Sequence, residues 1–388
     1  MRTTELAHEV APFVVDFRRE LHQHPEASMH EFRTTDRVCE ELDKMGVSYR
    51  RCEPTGVIAE IKGNKSESDR VVVLRADMDA LSIQEKTGLP FASVNDGFMH
   101  ACGHDSHTAM LMGAVKVVNQ MKDEFSGVVR FLFQPGEETC EGAPAMIKQG
   151  AMDNVDYAFG VHIDSMLESG KITGMVGASY AATDRYWIRI AGKTSHGADP
   201  AHGIDAAVCG ASVVMNLQTM VSREFDPAQP VVVTVGRLQA GTRFNIIPGE
   251  CEIEGTIRTY SREIHDKLPE IVERIAKNTA QALRCTAEVE YHKITEVLYN
   301  DEEAFEIGKK AAEKVCADCF KKATPTMGGE DFAFYTDHCK AAFFNLGARV
   351  ADDSKVVPMH HECMMLDESA FERGVALYAQ VAMDALSK

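Results

Sequence analysis

The sequence predicts an α/β protein in which a small domain is inserted into a mostly parallel-sheet domain. Short apolar strands alternate with helical segments at both ends of the chain, an order typical of parallel sheets. Between them the order changes to βαββαβ, as in ferredoxin-like domains. The 388 residues also exceed what one core usually supports. We predict a discontinuous large domain of residues 1–183 and 296–388, interrupted by a small domain of residues 184–295.

Apolar spacing predicts the elements of the large domain in order. Helical spacing covers residues 1–45, with Pro25 inside the segment and Gly46 at its end. Short apolar runs predict strands at 57–61, 71–74, 128–133 and 158–161, and a helix is predicted at 108–121. After the insertion, the pattern predicts a helix at 302–319, a strand at 342–346 and a helix at 367–386.

The inserted domain is predicted from alternating and helical patterns between residues 186 and 291. Strands are expected at 186–191, 231–238, 251–259 and 287–291, and helices at 204–221 and 264–283. This succession gives the βαββαβ order.

Composition excludes several classes of protein. The net charge of −18, without a compensating basic patch, argues against nucleic acid and anionic membranes as partners. No apolar run approaches the roughly 20 residues of a membrane helix. The N-terminal residues lack a signal-peptide core, and eleven cysteines are an odd number, so we expect a cytoplasmic protein with reduced thiols. Cys316 and Cys319 have redox spacing, but we interpret them as an incidental pair on a helix.

Metal-competent side chains are concentrated where apolar runs end. The segment His100–His107 contains one thiol, three imidazoles and one carboxylate. Similar side chains follow other runs, at 137–138, 162 and 360–361. A lone cysteine or histidine is more often structural, but four such clusters together favour a metal site. Because parallel sheets place ligands at the carboxyl ends of strands, we expect one site. The donors suit zinc, manganese, cobalt or nickel better than magnesium or calcium.

Several motifs carry a family resemblance. They are Arg19–Glu26, Leu74–Leu81, His100–His107, Phe133–Glu138, Ser195–Ala198, Asn245–Pro248 and Gly328–Phe332. With these motifs the chain resembles the metal-dependent aminoacylase/carboxypeptidase family, in the branch of hippurate hydrolases and indole-acetyl-amino-acid hydrolases. The resemblance implies that the inserted domain is a lid through which two subunits form a homodimer.

The resemblance also implies two divalent ions per subunit and their ligands. The implied ligands are Cys102, His104, Glu138, His162 and His360. His361 stays an alternative to His360, because residues 362–364 depart from the family's usual sequence at this point. Glu137, beside a ligand, is the predicted general base that takes a proton from the attacking water. Asp77, at a strand end, either orients a ligand histidine or caps a helix or turn.

The remaining predicted roles concern the substrate. His196 would stabilise the tetrahedral intermediate, and in the family the equivalent histidine comes from the partner subunit. The resemblance implies that Asn245 and Arg258 hold the substrate carboxylate, while Gly328 and Gly329 allow close backbone approach. The predicted reaction is hydrolysis of the amide bond of N-acyl or N-aroyl amino acids. The alternatives are a metallo-dipeptidase or carboxypeptidase, and a non-catalytic metal-binding protein.

Overall fold

A computed structural model describes residues 1–66 and 68–387 and divides the chain into two compact units. The large unit contains residues 1–177 and 299–324 and the chain from Asp331 onward. The small unit contains Ala178–Leu298 and Pro325–Glu330.

Every helix and strand predicted from the sequence has a counterpart in the structure. Across the described residues the α-helices are α1 (Arg2–Gln23), α2 (Phe32–Met45), α3 (His104–Gln120), α4 (Gly142–Lys148), α5 (Ala206–Thr219), α6 (Arg262–Ala282), α7 (Glu302–Val315) and α8 (Phe371–Leu386). The strands of the same residues are β1 (Ser48–Arg51), β2 (Val57–Lys62), β3 (Val71–Asp77), β4 (Val128–Gln134), β5 (Tyr157–Glu168), β6 (Ile172–Gly174), β7 (Gly177–Tyr180), β8 (Ala182–Ala191), β9 (Ser195–His196), β10 (Val231–Ala240), β11 (Ile246–Ile247), β12 (Glu250–Thr259), β13 (Thr286–Thr295), β14 (Leu298–Asn300), β15 (Phe320–Lys322) and β16 (Lys340–Arg349).

The large unit is built on a mixed sheet in the order β1-β2-β4-β3-β5-β16-β6-β15. Its central strands β4, β3, β5 and β16 are parallel, which confirms the predicted mostly parallel sheet, and antiparallel pairs occur toward the edges. Helices α1, α3 and α8 pack together, and α3 and α8 cover β3 and β5. Asp77 pairs with Gln134 and Arg75 with Gly160, so β3 and β4 end at the same level, close to His162.

The small unit has the predicted βαββαβ order. Its main sheet is antiparallel, with the strand order β10-β12-β8-β13. Helices α5 and α6 contact each other and this sheet, and they bury a separate apolar core that includes Ile188, Val213, Leu217, Ile253 and Val272. This topology is that of a ferredoxin-like domain.

Some element boundaries differ from the predictions. Helix α3 begins at His104 rather than residue 108, directly after Gly103, whose φ is +82°. Almost every residue of α3 is buried, so apolar spacing gave no signal for its polar first turn. Helix α7 ends at Val315, and Cys316 is extended, so the predicted helical cysteine pair is wrong. The buried Cys319 thiol instead donates to the Cys316 carbonyl at 3.0 Å.

In the part of the chain that is described, none of the helices is both long enough and apolar enough to cross a membrane.

A buried histidine predicts that the stability of the small unit depends on pH. His265 Nε2 lies 2.7 Å from Asp184 Oδ1, and Nδ1 lies 3.0 Å from Glu296 Oε2. Burial lowers the pKa of His265, but the two carboxylates outweigh burial and raise this pKa to about 9. Because the unfolded value is about 6.5, the pairs contribute full stability below that pH. The contribution is lost as the pH rises through the folded-state pKa.

We therefore expect His265→Gln to lower the free energy of unfolding by about 1.5–3 kcal/mol at pH 6. The deficit relative to the wild type should shrink by pH 10. Urea unfolding followed by the fluorescence of Trp187, the single tryptophan and a residue of β8, measures it within this unit. A deficit that stays constant from pH 6 to pH 10 would contradict the assignment.

Candidate active site and metal centre

The five predicted metal ligands come from separate segments of the large unit. One lies just before α3, one in its first turn, one in the turn after β4, one on β5 and one in the loop before α8, and they are Cys102, His104, Glu138, His162 and His360. Strands β3, β4 and β5 are parallel neighbours whose register aligns their carboxyl ends. The fold therefore brings together five side chains that span more than 250 residues of sequence.

The donor atoms of these side chains lie close to one another. Cys102 Sγ is 3.2 Å from His360 Nε2 and 3.5 Å from His162 Nε2. Glu138 Oε1 is 3.5 Å from His360 Nε2 and 3.9 Å from His104 Nε2. Two overlapping triads, Cys102 with His104 and His162 and Cys102 with Glu138 and His360, have all their donors within 4.8 Å. Such separations suit side chains that share a cation.

The unpaired polar atoms of the cluster also fit a divalent cation. His104 Nε2 and Glu138 Oε1 are buried, and neither has a hydrogen-bond partner among the described residues. Burial raises the pKa of Glu138 to about 7, and the nearby Asp79 and Asp77 carboxylates contribute to this increase although His104 opposes it. Burial likewise raises the pKa of the Cys102 thiol, with contributions from Glu138 and Glu137. A cation would supply the positive charge that these buried acids need.

Asp79 holds two of the candidate ligands, and sequence reasoning missed it. Its Oδ1 is 3.1 Å from His104 Nδ1, and its carbonyl oxygen is 3.0 Å from the same nitrogen. The Glu138 N–H donates to Asp79 Oδ2 at 3.0 Å. Asp79 therefore directs His104 Nε2 toward the cluster, as carboxylates commonly do for metal-binding histidines. The Asp77-Met78-Asp79 alternation at the end of β3 was the available signal.

Asp77 is bonded to a different histidine. Its Oδ1 is 2.5 Å from His107 Nδ1, whereas its Oδ2 is 3.8 Å from His104 Nε2. Burial lowers the pKa of His107 to about 4, so this imidazole is neutral: Nδ1 donates to Asp77, and Nε2 accepts the Ile163 N–H at 2.7 Å. Arg75 donates to Asp77 Oδ2 at 2.6 Å. Asp77 thus fixes the position of His107 behind the cluster. That Asp77 also orients a metal ligand stays a prediction.

Glu137, the predicted general base, lies at the edge of the donor cluster. Its Oε2 is 3.9 Å from His104 Nε2, and its side chain keeps 11% of its surface exposed. Its carbonyl oxygen accepts the Cys140 N–H at 2.8 Å, which closes the turn. The carboxylate is therefore next to the ligands and largely buried, with a small exposed surface.

The predicted substrate-binding residues form two groups within the small unit. His196 on β9 pairs with Ile246 on β11, and the Gly197 N–H donates to the Asn245 carbonyl at 2.8 Å. This pairing of β9 with β11 places His196 and Asn245 side by side.

The second group surrounds Thr183. Arg258 on β12 donates to the Thr183 hydroxyl. The Gly328 carbonyl accepts the Ala181 N–H at 3.1 Å, and a Cβ at Gly329 would lie 2.6 Å from Thr183 Oγ1. The close approach explains why glycine is needed at position 329.

Comparison with known proteins identifies the family. The profile of peptidase family M20/M25/M40 matches residues 73–384. The chain belongs to this family. As an M20 hydrolase it is 47% identical over 279 residues to an N-acyl-L-amino acid amidohydrolase of Geobacillus stearothermophilus, covering 71% of this chain and 75% of that protein. It is 37% identical to an N-acetylcysteine deacetylase of Bacillus subtilis, over 95% and 96% of the two chains.

A solved structure supports metal binding by this M20 protein. A dinuclear metal binding peptidase of the M20 family from Bacillus subtilis matches with a TM-score of 0.86 and 34% identity. The match covers 98% of this chain and 99% of that chain. Together with the donor cluster, this likeness shows that the M20 protein is a metal-binding hydrolase that uses divalent ions.

The choice between His360 and His361 can be tested with adjacent variants. The backbone N–H of His360 donates to the Ala101 carbonyl at 2.8 Å, while His361 Nδ1 accepts the Cys363 N–H at 3.1 Å. We expect His360→Ala to weaken Zn²⁺ binding by at least about 10-fold, and His361→Ala to leave it within about twofold. Both residues are exposed, so neither change removes core packing. Calorimetric Zn²⁺ titration measures this, and the reverse order would assign the ligand to His361.

Proposed function

We propose that this chain hydrolyses the amide bond of N-acyl or N-aroyl amino acids, releasing a carboxylic acid and a free amino acid. The observation that carries the proposal is the position of Glu137, 3.9 Å from His104 at the edge of the five-donor cluster. The relatives named for N-acyl-L-amino acid and N-acetylcysteine hydrolysis support the substrate class.

In the proposed mechanism, two divalent ions would be held by Cys102, His104, Glu138, His162 and His360. Bound there, the ions would act as Lewis acids and lower the pKa of a water molecule. Glu137 takes a proton from the attacking water and passes it to the leaving amine nitrogen. Asp79 keeps His104 oriented throughout. The candidate native metals are zinc, manganese, cobalt and nickel, since the donors suit all four.

The substrate's carboxylate requires local positive charge, because the chain carries a net charge of −18. We propose that the guanidinium of Arg258 and the amide of Asn245 bind this carboxylate. His196 would stabilise the tetrahedral intermediate as a hydrogen-bond donor. We further propose a homodimer formed through the small unit, with His196 acting in the partner subunit's site, and a cytosolic location that suits the free cysteines.

A metallo-dipeptidase is the second candidate, since the structural relative is described as a peptidase. The two functions differ in whether the substrate carries a free amine, which would need an acidic partner beside the acyl group. Relative kcat/KM values on N-acetyl-Met, N-benzoyl-Gly and Gly-Met separate them. Faster hydrolysis of the two acylated substrates supports the proposal, and faster hydrolysis of Gly-Met supports the dipeptidase.

A further inference from the structure

The loop between α1 and α2 lies against the turn that carries Glu137. We call residues 24–31 the N-terminal loop and residues 135–138 the catalytic turn. Ala27 forms a bridge with Ala80, and the Ala80 N–H donates to the Glu26 carbonyl at 2.9 Å. The N-terminal loop is thus attached to the chain just after β3, next to Asp79.

Glu31, the last residue of the N-terminal loop, is completely buried. Its Oε1 accepts the Gly136 N–H at 2.8 Å and the Met29 N–H at 2.9 Å, and its Oε2 accepts the Thr55 hydroxyl at 2.6 Å. A buried carboxylate is costly unless its oxygens are hydrogen-bonded. The three donors come from three segments, so this single side chain joins the catalytic turn to the rest of the large unit.

Gly136 is the residue of the catalytic turn that the N-terminal loop contacts directly. Its φ is +59°, in the left-handed region, and a Cβ there would lie 2.5 Å from Met29 Sδ. The N-terminal loop therefore packs directly on the turn as well as bonding to it. Glu137 follows immediately, so any rotation about Gly136 would move its carboxylate.

The N-terminal loop also fixes the other end of the catalytic turn, and it does so through Asp79. The Ser28 hydroxyl donates to Asp79 Oδ2 at 2.6 Å, and that oxygen also accepts the Glu138 N–H. The N-terminal loop therefore holds the turn on both sides of Glu137, directly at Gly136 and through Asp79 at Glu138.

We propose that Glu31 is a positioning residue for the catalytic turn: its hydrogen bond to Gly136 sets the directions of the Glu137 and Glu138 carboxylates. Its effect on kcat rests on the proposed function, whereas its effect on metal binding through Glu138 does not. None of the three donors is cationic, so the carboxylate forms no ion pair with them, and an amide oxygen in the same position can accept the Gly136 N–H.

Three substitutions separate geometry from charge. Glu31→Gln keeps an oxygen that can accept the Gly136 N–H, and its amide can donate to Thr55. Glu31→Asp keeps the charge, but its side chain is one methylene shorter. Glu31→Ala removes all the side-chain hydrogen bonds of this residue. Asp301→Ala is the matched control, because the Asp301 carboxylate likewise accepts two backbone N–H groups, those of Glu303 and Ala304 at 2.9 and 3.0 Å, but it lies at the start of α7 and belongs to neither the N-terminal loop nor the catalytic turn.

The measurements are Zn²⁺ affinity by calorimetry, kcat and KM on N-acetyl-Met, and thermal unfolding. For Glu31→Ala we expect a loss of about 10–100-fold in kcat and in Zn²⁺ affinity with KM nearly constant, an intermediate loss for Asp, and values within about threefold of wild type for Gln. Asp301→Ala should unfold at a lower temperature, because it loses a helix cap, with kcat and Zn²⁺ affinity unchanged.

Three results would overturn the proposal: wild-type kcat and Zn²⁺ affinity in Glu31→Asp, losses in Glu31→Gln as large as those in Glu31→Ala, or equal losses in Asp301→Ala. If Glu31→Ala does not fold, the Asp and Gln variants decide. If the wild type hydrolyses no N-acyl amino acid, the proposed function fails, and the order of Zn²⁺ affinities among the variants still tests Glu31.

Discussion

Glu137→Gln is expected to reduce kcat on N-acyl amino acids by about 10²–10⁴-fold, the usual contribution of a general base. The amide has nearly the same shape as the carboxylate but cannot take a proton from water. Because Glu137 is assigned to proton transfer and not to metal binding, the number of ions bound per chain should stay the same. Steady-state kinetics and elemental analysis of the same sample measure both quantities.

Glu141→Gln is the matched control for this change. Glu141 lies four residues further on and is exposed, and its carboxylate accepts the Thr139 hydroxyl at 3.1 Å. Its kcat should stay within about twofold of wild type, as is usual for surface substitutions away from such sites. Unchanged turnover in Glu137→Gln would show that another group is the base, and loss of metal would show that Glu137 is a ligand.

Cys102→Ser is expected to have the largest effect on metal binding. The thiol lies near both His162 and His360, at 3.5 and 3.2 Å, so it contacts donors on two sides of the cluster. A serine hydroxyl is a harder and weaker donor for zinc than a thiolate. Removing a residue that hydrogen-bonds to a metal ligand typically lowers metal affinity about 10–100-fold. Removing a ligand itself should lower the affinity at least as much. Calorimetric Zn²⁺ titration measures the loss.

Mercurial reagents give an independent test of Cys102. A thiolate at the centre should make the enzyme sensitive to mercurials, and metal should protect it. Cys363→Ser is the matched control, because this half-buried thiol donates to the Lys86 carbonyl at 3.6 Å and belongs to no donor triad among the described residues. The control should keep the sensitivity of the wild type. Normal Zn²⁺ affinity and turnover in Cys102→Ser would exclude the thiol as a ligand.

The sequence predicted the succession of elements because the central strands are continuous apolar runs and most helices show regular apolar spacing. The sequence does not predict helix boundaries correctly where a helix is buried on all sides or where it ends without a helix-breaking residue. Helix α3 is buried on all sides, and α7 stops at Cys316 although nothing in its composition breaks a helix there. Short strands such as β6 and β15 are defined by their partners rather than by their own sequence.

The donor set was predicted from residue type and family motifs, but the groups that support it were not. Asp77 and Asp79 lie two residues apart at the end of the same strand, and only the folded backbone determines that Asp79 meets His104 while Asp77 meets His107. Glu31 and Gly136 are separated by 105 residues, and no local pattern connects them. Such contacts depend on how loops pack against strand ends, which hydrophobic periodicity does not encode.

Reconstitution after metal removal tests the central claim most directly. The protein is stripped with a chelator, and zinc, manganese, cobalt or nickel is added back while bound ions per chain and amino acid release from N-acetyl-Met are measured together. The account predicts no hydrolysis by the stripped protein and recovery as two ions bind. Hydrolysis by protein that contains no metal, or no hydrolysis of any acylated amino acid with two ions bound, would contradict it.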